Sequence, residues 1–261
     1  MADLQEYKEP PAFNAPSVVI ALVGAIFAVF LLQAYGGREL SGDLLIWGSL
    51  IPARYAPAVD GNIYFFPGGI LADLWTFITY AFLHGGWTHV IFNAIWLLAF
   101  GTPVARRIGT ARFLTFYLIC AIIGGITHVV IYAGELTPVV GASAAVSGLM
   151  GGAARFVFLA GGPLGMIGTG QTGLPGAPRA QASILQALTD RRTLIFIAIW
   201  IGMNLLFGIT GLTPSGQIVS VAWEAHLGGF FAGLLLFGFF DPIKTSPSGG
   251  PGNVGYGEWK G

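Results

Sequence analysis

Six stretches of the chain are apolar for about the 20 residues that a helix needs to cross a bilayer. They cover 17–36, 86–103, 113–134, 141 to about 160, 193–211 and 221–240. Backbone groups in hydrocarbon have to be satisfied within their own segment, so runs like these fold as helices and pack into a bundle. Composition agrees: 9% of the 261 residues are charged and 54% are hydrophobic, with a mean hydropathy of +0.74, far from soluble-domain usage. The expected architecture is therefore an all-α membrane protein. Residues 1–16 form an N-terminal tail, 17–240 a six-span domain, and 241–261 a disordered tail rich in Gly, Pro and Ser. Residues 37–75 read as a loop lying partly in the membrane surface, because Trp47, Tyr55, Tyr64, Phe65 and Phe66 favour the headgroup zone. A Gly/Pro-rich loop is expected over 161–180.

Charge sets the expected orientation. Lys8, Arg106, Arg107, Arg112, Arg155, Arg179, Arg191, Arg192, Lys244 and Lys260 fall on one side of a six-span bundle, and only Arg38 and Arg54 on the other. The positive-inside rule makes the richer side cytoplasmic, together with both termini. The start, MADLQEYKEPPAF, is acidic, which is wrong for a cleavable signal, so the first apolar run is expected to stay as an anchor. Net charge is zero, which gives no reason to expect a nucleic-acid partner. The single cysteine, Cys120, has no disulfide partner, and the four histidines are not spaced like a metal cage, so neither metal nor cofactor is expected.

Polar side chains inside spans are costly and point to function. In THVIFN, His89 and Asn93 are four residues apart and share a helix face. His226 opens span six, with Gly229 and Gly233 on the same face, and span four offers Ala144, Gly148, Gly151 and Gly152 as a matching smooth surface. Packing those faces brings His226 to Ser143, giving a nucleophile and its general base. Ser143 alone has a blander explanation as a packing serine, and His226 as a core histidine bonded to a carbonyl. Glu224 sits about 200° round the helix from His226, so it is expected to cap the helix start or meet water rather than complete a triad. The Ser143 N–H, Asn93 and His89 are candidate oxyanion donors, unless the latter two only hold helices together. His84 and His128 receive no catalytic role.

GASA (141–144), HGGWTHVIFN (84–93) and AHLGGFFAG (225–233), each on its own span, resemble the rhomboid family of intramembrane serine proteases. The resemblance covers about Trp75 to Phe240. It implies that Ser143 is the nucleophile, His226 the base, and His89 and Asn93 the oxyanion hole. It also implies cleavage of transmembrane segments of other membrane proteins, without metal or cofactor, by a multi-pass protein of the plasma (inner) membrane. It names no substrate and no oligomeric state. An inactive, segment-binding relative would typically lack the serine or histidine, and a small transporter would carry ionisable residues at mid-span. Ser147 stands where many relatives carry an aromatic under the histidine, Thr76 where relatives often show Arg, and Ala105 where some have Glu. With only a hydroxyl at 147, the imidazole is expected to be less restrained, unless Trp223 or Phe230 fills the gap.

Overall fold

The computed structural model describes residues 15–159, 164, 181–211 and 221–243. The helices are α1 (Ser17–Tyr35), α2 (Gly37–Gly48), α3 (Gly69–Thr79), α4 (Trp87–Trp96), α5 (Thr102–Ile108), α6 (Thr110–Ile131), α7 (Ser143–Ala153), α8 (Ile184–Ala187), α9 (Arg191–Thr210) and α10 (Trp223–Phe240). Among the described residues, five helical runs are long and apolar enough to cross a membrane, namely α1, the Trp87–Ile108 run, α6, α9 and α10. The architecture is an all-α membrane bundle. Nearly all of the expected 161–180 loop, and the tail beyond Ile243, lie outside the described residues.

Trp87–Ile108 is continuous but not uniform. A π-helical turn, Leu97–Gly101, joins α4 to α5, and Pro103 follows at once. Proline has no N–H to continue the ladder, and a widened turn accommodates the missing bond.

The stretch expected as a fourth span is different. Instead of running to about residue 160, α7 ends at Ala153 and the chain turns through residues 154–158. Eleven residues of helix are about 16 Å long, roughly half the hydrocarbon thickness. Every residue from Ala144 to Ala153 is buried, so α7 faces protein on all sides and its irregular end is not exposed to lipid. Just beyond that end, buried Arg155 donates from Nε to Ala182 O (2.8 Å) and from Nη1 to Leu234 O (2.7 Å).

Around α7 the backbones touch. A methyl group on Gly229 would lie 2.0 Å from Ala144 O, one on Gly233 1.9 Å from Gly148 O, and one on Gly151 2.1 Å from Phe230 O. The small stripes on α7 and α10 thus form one seam, and the Cys120 side chain of α6 also closes on Gly148, where a methyl group would lie 2.3 Å from its Cβ. This is the membrane mode of packing, in which small residues gain contact area by bringing main chains together.

The two ends of the bundle differ in character. At one, Arg107 grips Asp241 through Nε (3.1 Å) and Nη2 (2.8 Å), and its guanidinium lies over the Phe156 ring at 4.7 Å. Asp241, expected to begin a disordered tail, is instead buried and paired, which ties the last turn of α5 to the end of α10. At the other end, the N-termini of α4, α7 and α10 gather the polar groups described below.

Residues 37–75 are more ordered than a loop of turns. They hold α2 and most of α3, pinned by Trp75 Nε1 donating to Trp47 O (2.9 Å) and by Arg54 donating to Pro67 O and Ile46 O (3.0 Å each). Thr76, one of the departures from the family pattern, is buried against the Tyr55 hydroxyl at 2.5 Å. Exposed turn residues mask the helical period of LLIW and ILADLWTF on either side of them, which is why composition alone reads as loop.

Candidate active site

Ser143 is the first residue of α7 and His226 the fourth of α10, so the Gly229–Ala144 seam sets the distance between them. Ser143 Oγ and His226 Nε2 are 2.7 Å apart. Both side chains are half-buried. The ring's other nitrogen, Nδ1, lies 2.8 Å from Oδ1 of Asn204 on α9. The imidazole is therefore held at both ends, contrary to the expectation of a loosely restrained ring. The support comes from neither Trp223 nor Phe230. Phe230 stacks on Trp200 at 4.3 Å, and Trp223 packs against Gly208.

Asn204 is missing from the sequence reading. Its signal was available: an amide in the middle of an apolar run is costly and calls for a partner. It has no polar neighbour at helical spacing, so nothing on α9 itself indicates what that partner is.

His89 and Asn93 lie on α4, across from the start of α7. The Gly85 N–H donates to His89 Nδ1 at 3.2 Å, so in the neutral ring the proton sits on Nε2. A methyl group on Gly141 would lie 2.7 Å from that Nε2 and 3.4 Å from Ser143 Oγ. Gly141 also has φ +129°, where a side chain is strained, so glycine is required there twice over. The vacant methyl position thus marks a point within reach of both the serine oxygen and a histidine N–H. Asn93 is buried, and its Nδ2 donates to His89 O at 2.9 Å, leaving its second N–H for another acceptor.

His84 shapes the approach to Ser143. It is buried, with Nδ1 3.3 Å from Phe82 O, and its Nε2 accepts from the Ala142 N–H at 3.4 Å. Accepting there requires a neutral ring. Burial, with His89 beside it, pushes its pKa down to about 3. Its ring meets that of His89 edge-on at 5.1 Å.

Glu224 neither caps α10 nor meets water. It is buried and accepts from His128 Nδ1, joining α10 to α6. Glu224 thus points away from Ser143, as its helix phase implies, and towards α6. His128, alone on its own span, has its partner on another helix.

A family model described as the rhomboid domain matches residues 71–241. The putative rhomboid protease YdcA of Bacillus subtilis is 40% identical over 133 residues, 51% of this chain and 57% of its own length. Rhomboid-like protease 3 of Toxoplasma gondii is 32% identical over 108 residues, 41% of this chain and 36% of its own. The rhomboid protease GluP of Bacillus subtilis is 27% identical over 218 residues, 81% of this chain but 33% of its own. The matched stretches thus cover between a third and just over half of these relatives. Since the family match takes in well over half of the sequence and contains every residue of the Ser143 site, the chain belongs to the rhomboid family of intramembrane proteases.

Proposed function

We propose that this protein is an active intramembrane serine endopeptidase that cuts transmembrane segments of other membrane proteins through a Ser143–His226 dyad. The observation that carries the reading is the 2.7 Å contact between Ser143 Oγ and His226 Nε2, at the polar end of an otherwise apolar seam. In the first step Ser143 Oγ attacks the scissile carbonyl carbon while its proton passes to Nε2. The C–N bond then breaks, and Nε2 returns the proton to the leaving amine. Water, deprotonated by the same nitrogen, hydrolyses the ester and regenerates Ser143. The test is a gel assay of the purified protein with a single-span substrate, beside a Ser143→Ala control. Cleavage that survives in the control would overturn the reading, as would binding without cleavage by the wild type.

Negative charge on the substrate carbonyl oxygen is met by the Ser143 N–H, the His89 Nε2–H and the Asn93 Nδ2–H. Asn93→Ala is expected to lower kcat by about 10²-fold, the size of one lost oxyanion donor. His89→Ala should be similarly slow and also less heat-stable, because its ring packs on His84. Wild-type turnover in Asn93→Ala would make that residue structural.

The site opens to the outside of the plasma membrane, with both termini cytoplasmic. The ten-to-two split of basic residues supports this. Cysteine labelling can check it cleanly, since Cys120 is buried. Thr110→Cys should react only from the cytoplasm and Asn62→Cys only from outside. The reverse pattern would invert the orientation.

A further inference from the structure

Asn204 lies on the least enclosed of the five long helices, 17% buried, where a polar amide has little packing to justify it. Membrane amides are often interhelical glue. The geometry here is more particular than glue requires. The Asn204 nitrogen turns back on its own helix and donates to Trp200 O at 2.9 Å. A carbonyl oxygen only accepts, so this bond fixes which end of the amide is nitrogen and leaves Oδ1 facing His226 Nδ1 at 2.8 Å. Oδ1 also only accepts, so Nδ1 carries a proton. In a neutral imidazole the lone pair then sits on Nε2, the nitrogen 2.7 Å from Ser143 Oγ. No other assignment of protons satisfies all three contacts with a neutral ring.

The bond is bracketed on both sides. One turn away, Trp200 and Phe230 stack with ring centroids 4.3 Å apart and planes 16° from parallel. One turn the other way, Gly208 has no side chain and Trp223 fills the space, a methyl there lying 2.3 Å from Trp223 Cδ1. Residues 200, 204 and 208 of α9 thus meet 230, 226 and 223 of α10 as three successive rungs, of which only the central one is polar. Glu224 is committed to His128 and takes no part.

We propose that Asn204 is a positioning residue for the dyad: its carboxamide oxygen holds His226 as the Nδ1–H tautomer and fixes the ring plane, so that Nε2 faces the serine proton. This rests on the Ser143–His226 reading. Asn204 touches no reacting atom and exchanges no proton. Its contribution is to remove the wrong tautomer and the wrong ring rotation before substrate arrives, the role that a carboxylate or amide fills in soluble triads.

The test uses the full chain in detergent or nanodiscs, comparing wild type, Ser143→Ala, Asn204→Leu and Asn204→Asp. Leucine has a similar size and suits a span, so the rung stays filled. Asn204→Leu is expected to lower kcat by about 10²-fold, less than the ~10⁴-fold tautomer effect known for a charged orienter, with KM little changed. Asn204→Asp keeps an acceptor at the same reach and should recover most of the loss. In protein labelled with ¹⁵N-histidine, wild-type His226 should show a protonated Nδ1 and an unprotonated Nε2, and Asn204→Leu should show averaged, mixed-tautomer shifts.

Wild-type kcat in Asn204→Leu would overturn the proposal. So would a loss of activity that follows melting temperature alone and is not recovered by Asn204→Asp. Cleavage by Ser143→Ala would remove the dyad itself. Nitrogen shifts of His226 unmoved by Asn204→Leu would remove Asn204 whether or not the dyad stands.

Discussion

Ser143→Ala and His226→Ala are each expected to reduce cleavage by about 10⁴-fold or more, and the double variant to be little worse than either single. The non-additivity follows from the shared proton. Without Nε2 to receive it, the serine hydroxyl is a poor nucleophile, and without the hydroxyl the base has nothing to activate. Whatever turnover survives comes from substrate binding and the oxyanion donors, which neither substitution removes. The two variants should differ in stability. Ser143→Ala changes the first residue of α7, whose hydroxyl bonds only to His226 among the described residues, and it should melt like wild type. His226→Ala leaves both Ser143 Oγ and Asn204 Oδ1 without their partner, so it should melt earlier. Kinetics of purified, folded variants decide the matter. A single variant within a few-fold of wild type, or a double variant worse by the product of the two singles, would mean that Ser143 and His226 do not act as one unit.

What could be read from the sequence has a physical pattern. The α7–α10 seam was legible because Gly229, Gly233, Gly148 and Gly151 recur at helical spacing, and a small stripe on one helix implies a backbone on its neighbour. Candidate residues on α4, α7 and α10 were legible because polar groups at the ends of apolar runs stand out against composition. Contacts between helices were harder. Residue phase says that Glu224 points away from Ser143, but not that His128 waits for it on α6. Asn204 is the same failure in stronger form, since its partner lies 22 positions away on another span. The length of α7 was illegible for a different reason. Hydropathy cannot tell a helix surrounded by lipid from one surrounded by protein, and both are apolar throughout. Burial of every residue from Ala144 to Ala153 is what allows α7 to be shorter than a helix that faces lipid.

Gly233→Ala should be among the most damaging single-methyl changes in the chain. The added carbon would sit 1.9 Å from Gly148 O, 2.6 Å from its carbonyl carbon and 2.8 Å from its Cα. All three are backbone atoms, with no side-chain torsion to relieve the clash. Reaching ordinary contact requires α10 to move off α7 by about 1.5 Å, and overpacking of that kind costs about 3 kcal/mol or more when neighbours cannot yield. His226 lies seven residues earlier on the same face of α10, so a shift of that size stretches its 2.7 Å bond to Ser143 beyond hydrogen-bonding range. Gly233→Ala is therefore expected to melt well below wild type and to lose about 10²-fold in kcat, the scale of a 1 Å misplacement. Gly233→Val should fail to accumulate. Gly202→Ala is the matched control: it lies within α9, where a methyl meets nothing within 4 Å, and should leave melting and turnover unchanged. Activity and melting of the two alanine variants, measured side by side, separate a tight seam from a general intolerance of larger residues in spans. Wild-type behaviour of Gly233→Ala would mean that the α7–α10 approach is looser than 1.9 Å implies, and that the seam does not hold Ser143 to His226.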